Sequence, residues 1–141
     1  MTIRLSDEAR RIIARFEEEA GVTVRDCVVD EEFDRLLILV KTGEMGKAIG
    51  PSGGTVRRIE DQLDRDIKLV EDAPVAEEFV ANALAPAAVY NVTISENDDT
   101  VAYVEVAEED RGAAIGADGR NIDAARTLAA RHFDVNDVEL T

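Results

Sequence analysis

The sequence predicts an α+β fold made of two tandem α-β-β-α-α-β units, each a three-stranded sheet covered by helices. Three observations support this prediction. The 141-residue chain repeats itself at an offset of 66 residues, and 45% of its residues are hydrophobic. The apolar residues also change from helical to alternating spacing in the same order in each copy. We expect one domain over residues 1–72 and a second over residues 73–141.

The repeat is clearest at two glycine-containing segments. Shifted by 66 residues, Ile49-Gly50-Pro51-Ser52-Gly53 falls on Ile115-Gly116-Ala117-Asp118-Gly119. The match needs no gap from about Thr23 to Val70, so that Leu63 falls on Ala129 and Ile67 on Phe133. A shared apolar pattern of this length indicates two copies of one unit.

The first copy opens with a helix whose N-cap is Ser6 and whose C-terminal end is Gly21. Its apolar face consists of Ala9, Ile12, Ile13, Phe16 and Ala20. The remaining predicted elements are strands over 22–29 and 36–41, helices over 43–49 and 53–65, and a strand over 67–70.

The second copy repeats this order with the same kinds of signals. Its predicted elements are a helix from about 75 that ends at Pro86, strands over 89–95 and 101–107, a short helix reaching Ile115, a helix over 120–131, and a strand over 135–140. Tyr90 and Tyr103 are expected in the core, with stacking on a nucleobase as the alternative role.

Charge and composition exclude several classes of protein. The chain has 31 acidic and 16 basic residues, and only Lys41, Lys47 and Lys68 are lysines. A strongly acidic, lysine-poor chain is typical of salt-accumulating cells, although on charge alone an ordinary acidic protein that avoids nucleic acid fits equally well. No apolar run is long enough to cross a membrane, and the N-terminus lacks a secretory pattern. We expect a cytoplasmic location.

The one cysteine, Cys27, and the one histidine, His132, exclude an internal disulfide, a cysteine-rich zinc site and the usual histidine-containing triads. We therefore expect no cofactor, no metal site and no enzymatic activity.

Each glycine segment joins two predicted helices. A glycine allows a ligand to approach the main chain closely, and the helix that follows directs N–H groups and partial positive charge outward, so a phosphate is the natural ligand. The pattern is neither a phosphate-binding GxxxxGK[ST] loop nor a GxGxxG dinucleotide motif. A tight turn without a ligand is the alternative for one copy, but two matched copies favour binding.

Both copies resemble the KH domain, in which an apolar residue followed by Gly-x-x-Gly lies between two helices. The element order resembles the type II KH fold, and the likeness covers about residues 6–141. A tandem of two such units resembles the archaeal NusA-like transcription factors, and together with the acidic composition this resemblance implies a haloarchaeal member.

The resemblance implies that single-stranded RNA crosses each loop, with its bases in a groove beside the apolar flanks. In the first copy this implies contacts from Ile49, Gly50, Pro51, Ser52 and Gly53, with bases near Val56 and part of 36–40. In the second it implies contacts from Ile115, Gly116, Ala117, Asp118 and Gly119, with bases near Ile122 and part of 101–106.

Basic residues near the loops are further candidates for phosphate contacts. In the first copy they are Lys47, Arg57 and Arg58, although the two arginines could instead pair with Glu60 or Asp61 on a solvated helix face. In the second, Arg120 could offset Asp118, which would repel a phosphate. We therefore expect the first copy to dominate RNA binding.

Three functions stay open at this point. The first is a monomeric RNA-binding factor in transcription elongation or termination, with RNA polymerase as a second candidate partner. The second is a KH protein associated with the ribosome or ribosomal RNA. The third is a small enzyme or protein-interaction domain, which would not bind single-stranded RNA at high salt.

Overall fold

The structure is a computed structural model that describes residues 3–141. Their contacts separate the chain into two compact units, Arg4–Asp72 and Ala73–Thr141. Each unit has the α-β-β-α-α-β order that the sequence predicts, so the α+β fold with two three-stranded sheets is confirmed.

The first unit contains six main elements. They are α1 (Asp7–Ala20), β1 (Val24–Asp30), β2 (Arg35–Val40), α2 (Met45–Ile49), α3 (Gly54–Leu63) and β3 (Asp66–Glu71). A single 3₁₀ turn, Pro51–Gly53, separates α2 from α3.

The second unit contains the corresponding six. They are α4 (Ala76–Ala83), β4 (Val89–Glu96), β5 (Thr100–Val106), α5 (Arg111–Ile115), α6 (Arg120–Phe133) and β6 (Asp137–Leu140). The matching 3₁₀ turn is Ala117–Gly119. Helix α4 ends three residues before Pro86, earlier than the sequence predicts.

The two sheets have the same topology. In each, the first strand pairs antiparallel with the second, and the second pairs in parallel with the third, which places the third strand at an edge. Both antiparallel pairs are interrupted by an irregularity at the same place, between Val24 and Asp26 in one sheet and between Val89 and Asn91 in the other. Such agreement in detail supports the interpretation of a repeat.

The predicted apolar face of α1 forms part of the first core. Ala9, Ile12, Phe16 and Ala20 are buried, and Ile13 packs against them. The Ser6 hydroxyl accepts a hydrogen bond from the Ala9 N–H at 3.0 Å, and Gly21 ends the helix with φ 69°. Both predicted ends of this helix are therefore confirmed.

The gap-free alignment is wrong beyond the end of α3. Helix α3 has 10 residues and α6 has 14, so α6 is longer by about one turn. Leu63 and Ala129 are each the tenth residue of their helix, so that match holds, whereas Ile67 lies in β3 and Phe133 is the last residue of α6. Each helix is followed by an aspartate in the left-handed conformation, Asp64 or Asp134, both with φ 54°.

The expectation that the tyrosines belong to the core is also wrong. Tyr90 is 68% exposed and Tyr103 is 38% exposed. Tyr103 lies in β5 between Ala102 and Val104, which are buried, and the alternation of a strand directs it to the opposite face of the sheet.

Two kinds of feature are absent from residues 3–141. No helix there combines the length and the apolar character needed to cross a membrane. Within the same residues, no group of three or more His, Cys, Asp or Glu side chains is arranged to hold a metal ion.

Candidate nucleic-acid interface

The two glycine loops have nearly the same backbone conformation. Gly50 has φ 79° and ψ 171°, and Gly116 has φ 79° and ψ 169°. The third loop residues, Ser52 and Asp118, are both left-handed, with φ 54° and 57°. The two segments therefore hold the same shape with different side chains.

The first glycine of each loop is required by close packing. A Cβ atom on Gly50 would overlap the Thr55 hydroxyl and lie 2.8 Å from the Thr55 main-chain nitrogen. A Cβ on Gly116 would lie 2.7 Å from the main-chain nitrogen of Asn121, the residue that corresponds to Thr55. No other residue type fits at these two positions without moving the helix that follows.

The second glycine of each loop is required by its backbone conformation, because an added side chain would meet few neighbouring atoms. Gly53 has φ 74° and Gly119 has φ 81°, which is the left-handed region that glycine adopts without strain. A Cβ on Gly119 would meet none of the described atoms within 4 Å, and one on Gly53 would lie 3.0 Å from the flexible end of Arg57.

Both loops lead into helices whose first turn is not capped by a side chain. Within residues 3–141, α3 and α6 begin after Gly53 and Gly119 without a side-chain hydrogen bond at the N-cap, in contrast to α1 with its serine cap. The positive end of the helix dipole therefore faces the loop, where an anion is stabilised.

An exposed isoleucine precedes each loop. Ile49 is 38% exposed and Ile115 is 41% exposed, although large aliphatic side chains are usually buried. The residues between the glycines, Pro51 and Ser52 in one loop and Ala117 and Asp118 in the other, are exposed as well. Each loop therefore offers main chain and an apolar surface side by side.

The second loop borders a groove of about 380 Å³. Its lining residues are Arg111, Ile115, Gly119, Ile122, Arg126, Glu139 and Leu140. Ile115 and Ile122 thus lie where the sequence predicts, and the strand that borders the groove is β6.

The predicted contribution of β2 to the first groove is wrong. Residues 36–40 are at most 1% exposed, so β2 has no surface for a base. In β5, Ala102, Val104 and Val106 are buried and Tyr103 and Glu105 are exposed, so a role for part of 101–106 stays a prediction. The strand that borders the groove at the second loop is the edge strand β6.

One arginine folds back onto each loop. An Nη2 N–H of Arg57 donates to the Ser52 carbonyl at 3.2 Å, and the Nε N–H of Arg120 donates to the Ala117 carbonyl at 3.1 Å. These two bonds place a guanidinium group directly at each turn, as the sequence suggests for both residues.

The other two predicted cations lie at the C-terminal end of α1. Arg58 forms an ion pair with Glu19 at 3.5 Å and donates to the Glu19 carbonyl at 3.3 Å. The Lys47 side chain passes beside Gly21, close enough that a Cβ there would lie 3.4 Å from Nζ. Both are exposed, but α1 rather than the loop supplies their nearest contacts.

Sequence analysis did not single out Asn121. Its side-chain amide is buried and donates to the carbonyls of Leu84 at 3.0 Å and Ala113 at 3.1 Å. It therefore joins the C-terminal end of α4 to α5 directly behind the loop. Its position immediately inside the helix after the loop is the one sequence signal that could have identified it.

Comparison with known proteins shows which family has these loops and this fold. Residues 76–141 match the model of the NusA-like second KH domain, and residues 8–80 match the KH domain model. A Halobacterium salinarum protein named probable transcription termination protein NusA is 63% identical over 141 residues, which is 100% of both chains. The chain belongs to the archaeal NusA family of KH-domain proteins.

Two further matches support the NusA assignment. A Halococcus morrhuae protein of the same name is 57% identical over 140 residues, covering 99% of each chain. A solved structure, named crystal structure of APE1850, is 33% identical with a TM-score of 0.86 and covers 97% of this chain and 100% of that one. The resemblance seen in the sequence is therefore confirmed, including the link to halophiles.

This NusA-family chain distributes its charge unevenly between the repeats. Residues 1–70 contain 12 basic and 15 acidic side chains, a net charge of −3. Residues 71–141 contain 4 basic and 16 acidic side chains, a net charge of −12. An anionic ligand therefore meets much less repulsion at the first loop than at the second.

Proposed function

We propose that this chain binds single-stranded RNA through the loops Gly50–Gly53 and Gly116–Gly119 and acts in transcription elongation or termination. The observation that supports this most strongly is the pair of loops with one backbone shape, each followed by a helix without a side-chain cap. The relatives named as transcription termination proteins favour transcription over a ribosomal role.

RNA phosphates would be held by three features at each turn. The glycines let the sugar–phosphate backbone approach the main chain, the helix end supplies partial positive charge, and Arg57 or Arg120 supplies a full charge. Ile49 and Ile115 would then lie against the neighbouring base or sugar. The loop residues Pro51, Ser52, Ala117 and Asp118 would contact the strand as it passes.

The charge difference between the repeats supports a ranking of the two loops. The first loop has Arg57 beside a neutral Pro51-Ser52 pair, whereas the second has Arg120 beside the Asp118 carboxylate. We propose that the first loop contributes more to affinity, and that the contribution of the second grows as salt screens Asp118.

Salt should affect RNA binding less here than in most RNA-binding proteins. At molar salt, the release of counterions contributes little to affinity, so main-chain hydrogen bonds and base contacts must carry binding. A steep fall in affinity with rising salt would indicate many phosphate contacts and contradict this mechanism.

We propose that residues 1–72 and 73–141 are two KH domains of a monomeric cytoplasmic protein, with RNA polymerase as a second partner. Pull-down of RNA polymerase, compared with cofractionation on ribosomal subunits, separates this assignment from a ribosomal one.

Crosslinking in cells tests the RNA contacts directly. After ultraviolet irradiation, mass spectrometry of RNA-linked peptides should identify segments around residues 46–57 and 111–122, and sequencing should return nascent transcripts. Crosslinks confined to other segments would refute the loop assignment, and recovery of ribosomal RNA alone would refute the role in transcription.

A further inference from the structure

The first unit has a pocket of about 270 Å³ between α1 and the C-terminal end of α3. The buried Ile12 and Leu36 and the half-buried Leu63 form its apolar wall. Its other lining residues are Glu8, Arg11, Arg15 and Arg65. Leu63 lies at the opposite end of α3 from the glycine loop, about 14 Å along the helix axis. The pocket is therefore separate from the candidate RNA site.

Three arginines stand beside this apolar wall. Arg65 forms an ion pair with Glu8 at 3.2 Å, and the Nε N–H of Arg15 donates to the Gln62 side chain at 3.3 Å. Within residues 3–141, the guanidinium of Arg11 forms no hydrogen bond or ion pair. A guanidinium stays charged at any working pH and binds a carboxylate through two parallel hydrogen bonds. Arg11 can therefore receive a carboxylate from outside the chain.

An acidic recess of about 320 Å³ adjoins the pocket, and Arg65 lines both. The other lining residues of this recess are Asp34, Glu60, Asp61, Asp64 and Asp66. RNA carries a negative charge at every phosphate, so the recess would repel a strand that continued past the arginines. A segment of protein can carry both signs of charge and can therefore match both surfaces.

The fold does not require the side chains of this pocket. In the second unit, Ala102 and Ala129 stand at the positions equivalent to Leu36 and Leu63, and α4 contains no arginine. The second unit nevertheless has the same element order and sheet topology. The arginines and the large apolar side chains are thus particular to the first unit, which supports a role in binding.

We propose that this pocket binds a segment of a partner protein in which an acidic residue and a large apolar residue lie next to a basic residue. The apolar side chain would pack on the wall formed by Ile12, Leu36 and Leu63. The acidic residue would pair with Arg11, and the basic residue would reach the acidic recess beyond Arg65. Arginines beside a pocket that holds an apolar side chain are typical anchors of protein interfaces. This inference does not depend on the proposed RNA binding.

The test selects binders of the full chain from a library of random-sequence peptides in molar KCl. The most enriched peptide is then synthesised, and its affinity is measured by fluorescence anisotropy for the wild type, Arg11→Gln and Arg10→Gln. Arg10 is the matched control because it is the neighbouring residue on α1, is exposed, and lines neither the pocket nor the recess. A labelled single-stranded RNA is measured with the same proteins as a second probe.

We expect the enriched peptides to combine an acidic, a large apolar and a basic residue. Arg11→Gln should weaken binding of the enriched peptide by about ten-fold, because a charge-assisted hydrogen-bonded pair is lost. Arg10→Gln should bind it as the wild type does, and neither variant should change the affinity for RNA.

A charge reversal tests the acidic recess. Asp61→Lys, at an exposed position of the recess, should remove the enrichment of basic residues when the selection is repeated. Glu18→Lys makes the same change of charge at an exposed position of α1 that lines neither surface, and it should keep that enrichment.

Four results would overturn the proposal. They are a wild type that enriches no peptide, enriched peptides without an acidic residue, equal peptide affinities of Arg11→Gln and Arg10→Gln, and enrichment of basic residues that survives Asp61→Lys. A loss of RNA affinity in Arg11→Gln alone would assign the pocket to RNA and would also overturn it. Circular dichroism verifies that every variant is folded, and RNA binding by the wild type tests the proposed function separately.

Discussion

Replacing Ser52 by aspartate introduces a charge into the first loop without changing the shape of the loop. The second loop already holds an aspartate at the equivalent position, and the backbone angles agree: φ 54° and ψ 28° at Ser52, and φ 57° and ψ 22° at Asp118. Both side chains are exposed. Ser52→Asp should therefore fold normally and weaken RNA binding.

The size of the effect follows from Coulomb's law. A carboxylate about 6 Å from a bound phosphate costs about 0.7 kcal/mol at the dielectric constant of water and about 2.8 kcal/mol at an effective value of about 20. These energies correspond to RNA binding that is weaker by about 3-fold and about 100-fold. At about 3 M KCl the Debye length is below about 3 Å, so most of the loss should disappear.

Fluorescence anisotropy with a short labelled single-stranded RNA measures this effect at about 0.3 M and about 3 M KCl. Gln62→Glu adds the same charge on the exposed surface of α3 and serves as the control. Asp118→Ser should strengthen binding in the lower salt. Unchanged affinity of a folded Ser52→Asp protein, or an equal loss at both salt concentrations, would refute the electrostatic argument.

Three stability predictions test the remaining structural claims. Gly50→Ala should lower the free energy of unfolding by more than about 2 kcal/mol because its Cβ meets Thr55, whereas Gly119→Ala should cost only about 1–2 kcal/mol of backbone strain. Denaturant unfolding compares the two, and equal losses would contradict the packing argument. Asn121→Ala should cost about 1–3 kcal/mol because two carbonyl groups lose their amide donor, and a thermal midpoint equal to that of the wild type would show that those bonds are unimportant. Burial, and secondarily the charge of Arg35, lowers the pKa of Lys68 from 10.5 to about 8. The unfolded chain therefore binds one more proton than the folded chain between these values, and the free energy of unfolding rises with pH across that range. Lys68→Met should remove this rise, as unfolding at a series of pH values would show, and an unchanged pH profile would exclude Lys68 as its source.

The fold and the loops could be predicted because their signals are local. Helix ends at Ser6 and Gly21, alternating strands, and a repeated Ile-Gly-x-x-Gly segment are all visible within short windows of sequence. The repeat strengthened the prediction of the two loops, because two weak motifs at the same offset support each other.

The extra turn of α6 was hidden by helical periodicity. Ala129 and Phe133 are four residues apart and lie on the same face of α6, so the apolar pattern does not show that this helix continues for one turn beyond the equivalent of Leu63. Only the structure shows where the helix ends.

The groove residues depend on packing between distant segments. That β6 borders the groove at the second loop follows from its parallel pairing with β5 at the edge of the sheet. The contact between Arg58 and Glu19 likewise depends on how α3 packs against α1. No pattern among neighbouring residues of the sequence indicates such contacts.

The shape of each turn is fixed at its ends, where Gly50 lies against Thr55 and Gly116 against Asn121. Between these ends, a neutral Ser52 and a charged Asp118 are both compatible with one left-handed backbone conformation. Under the proposed function, the charge at one loop can therefore differ from the charge at the other while both loops keep the same backbone shape.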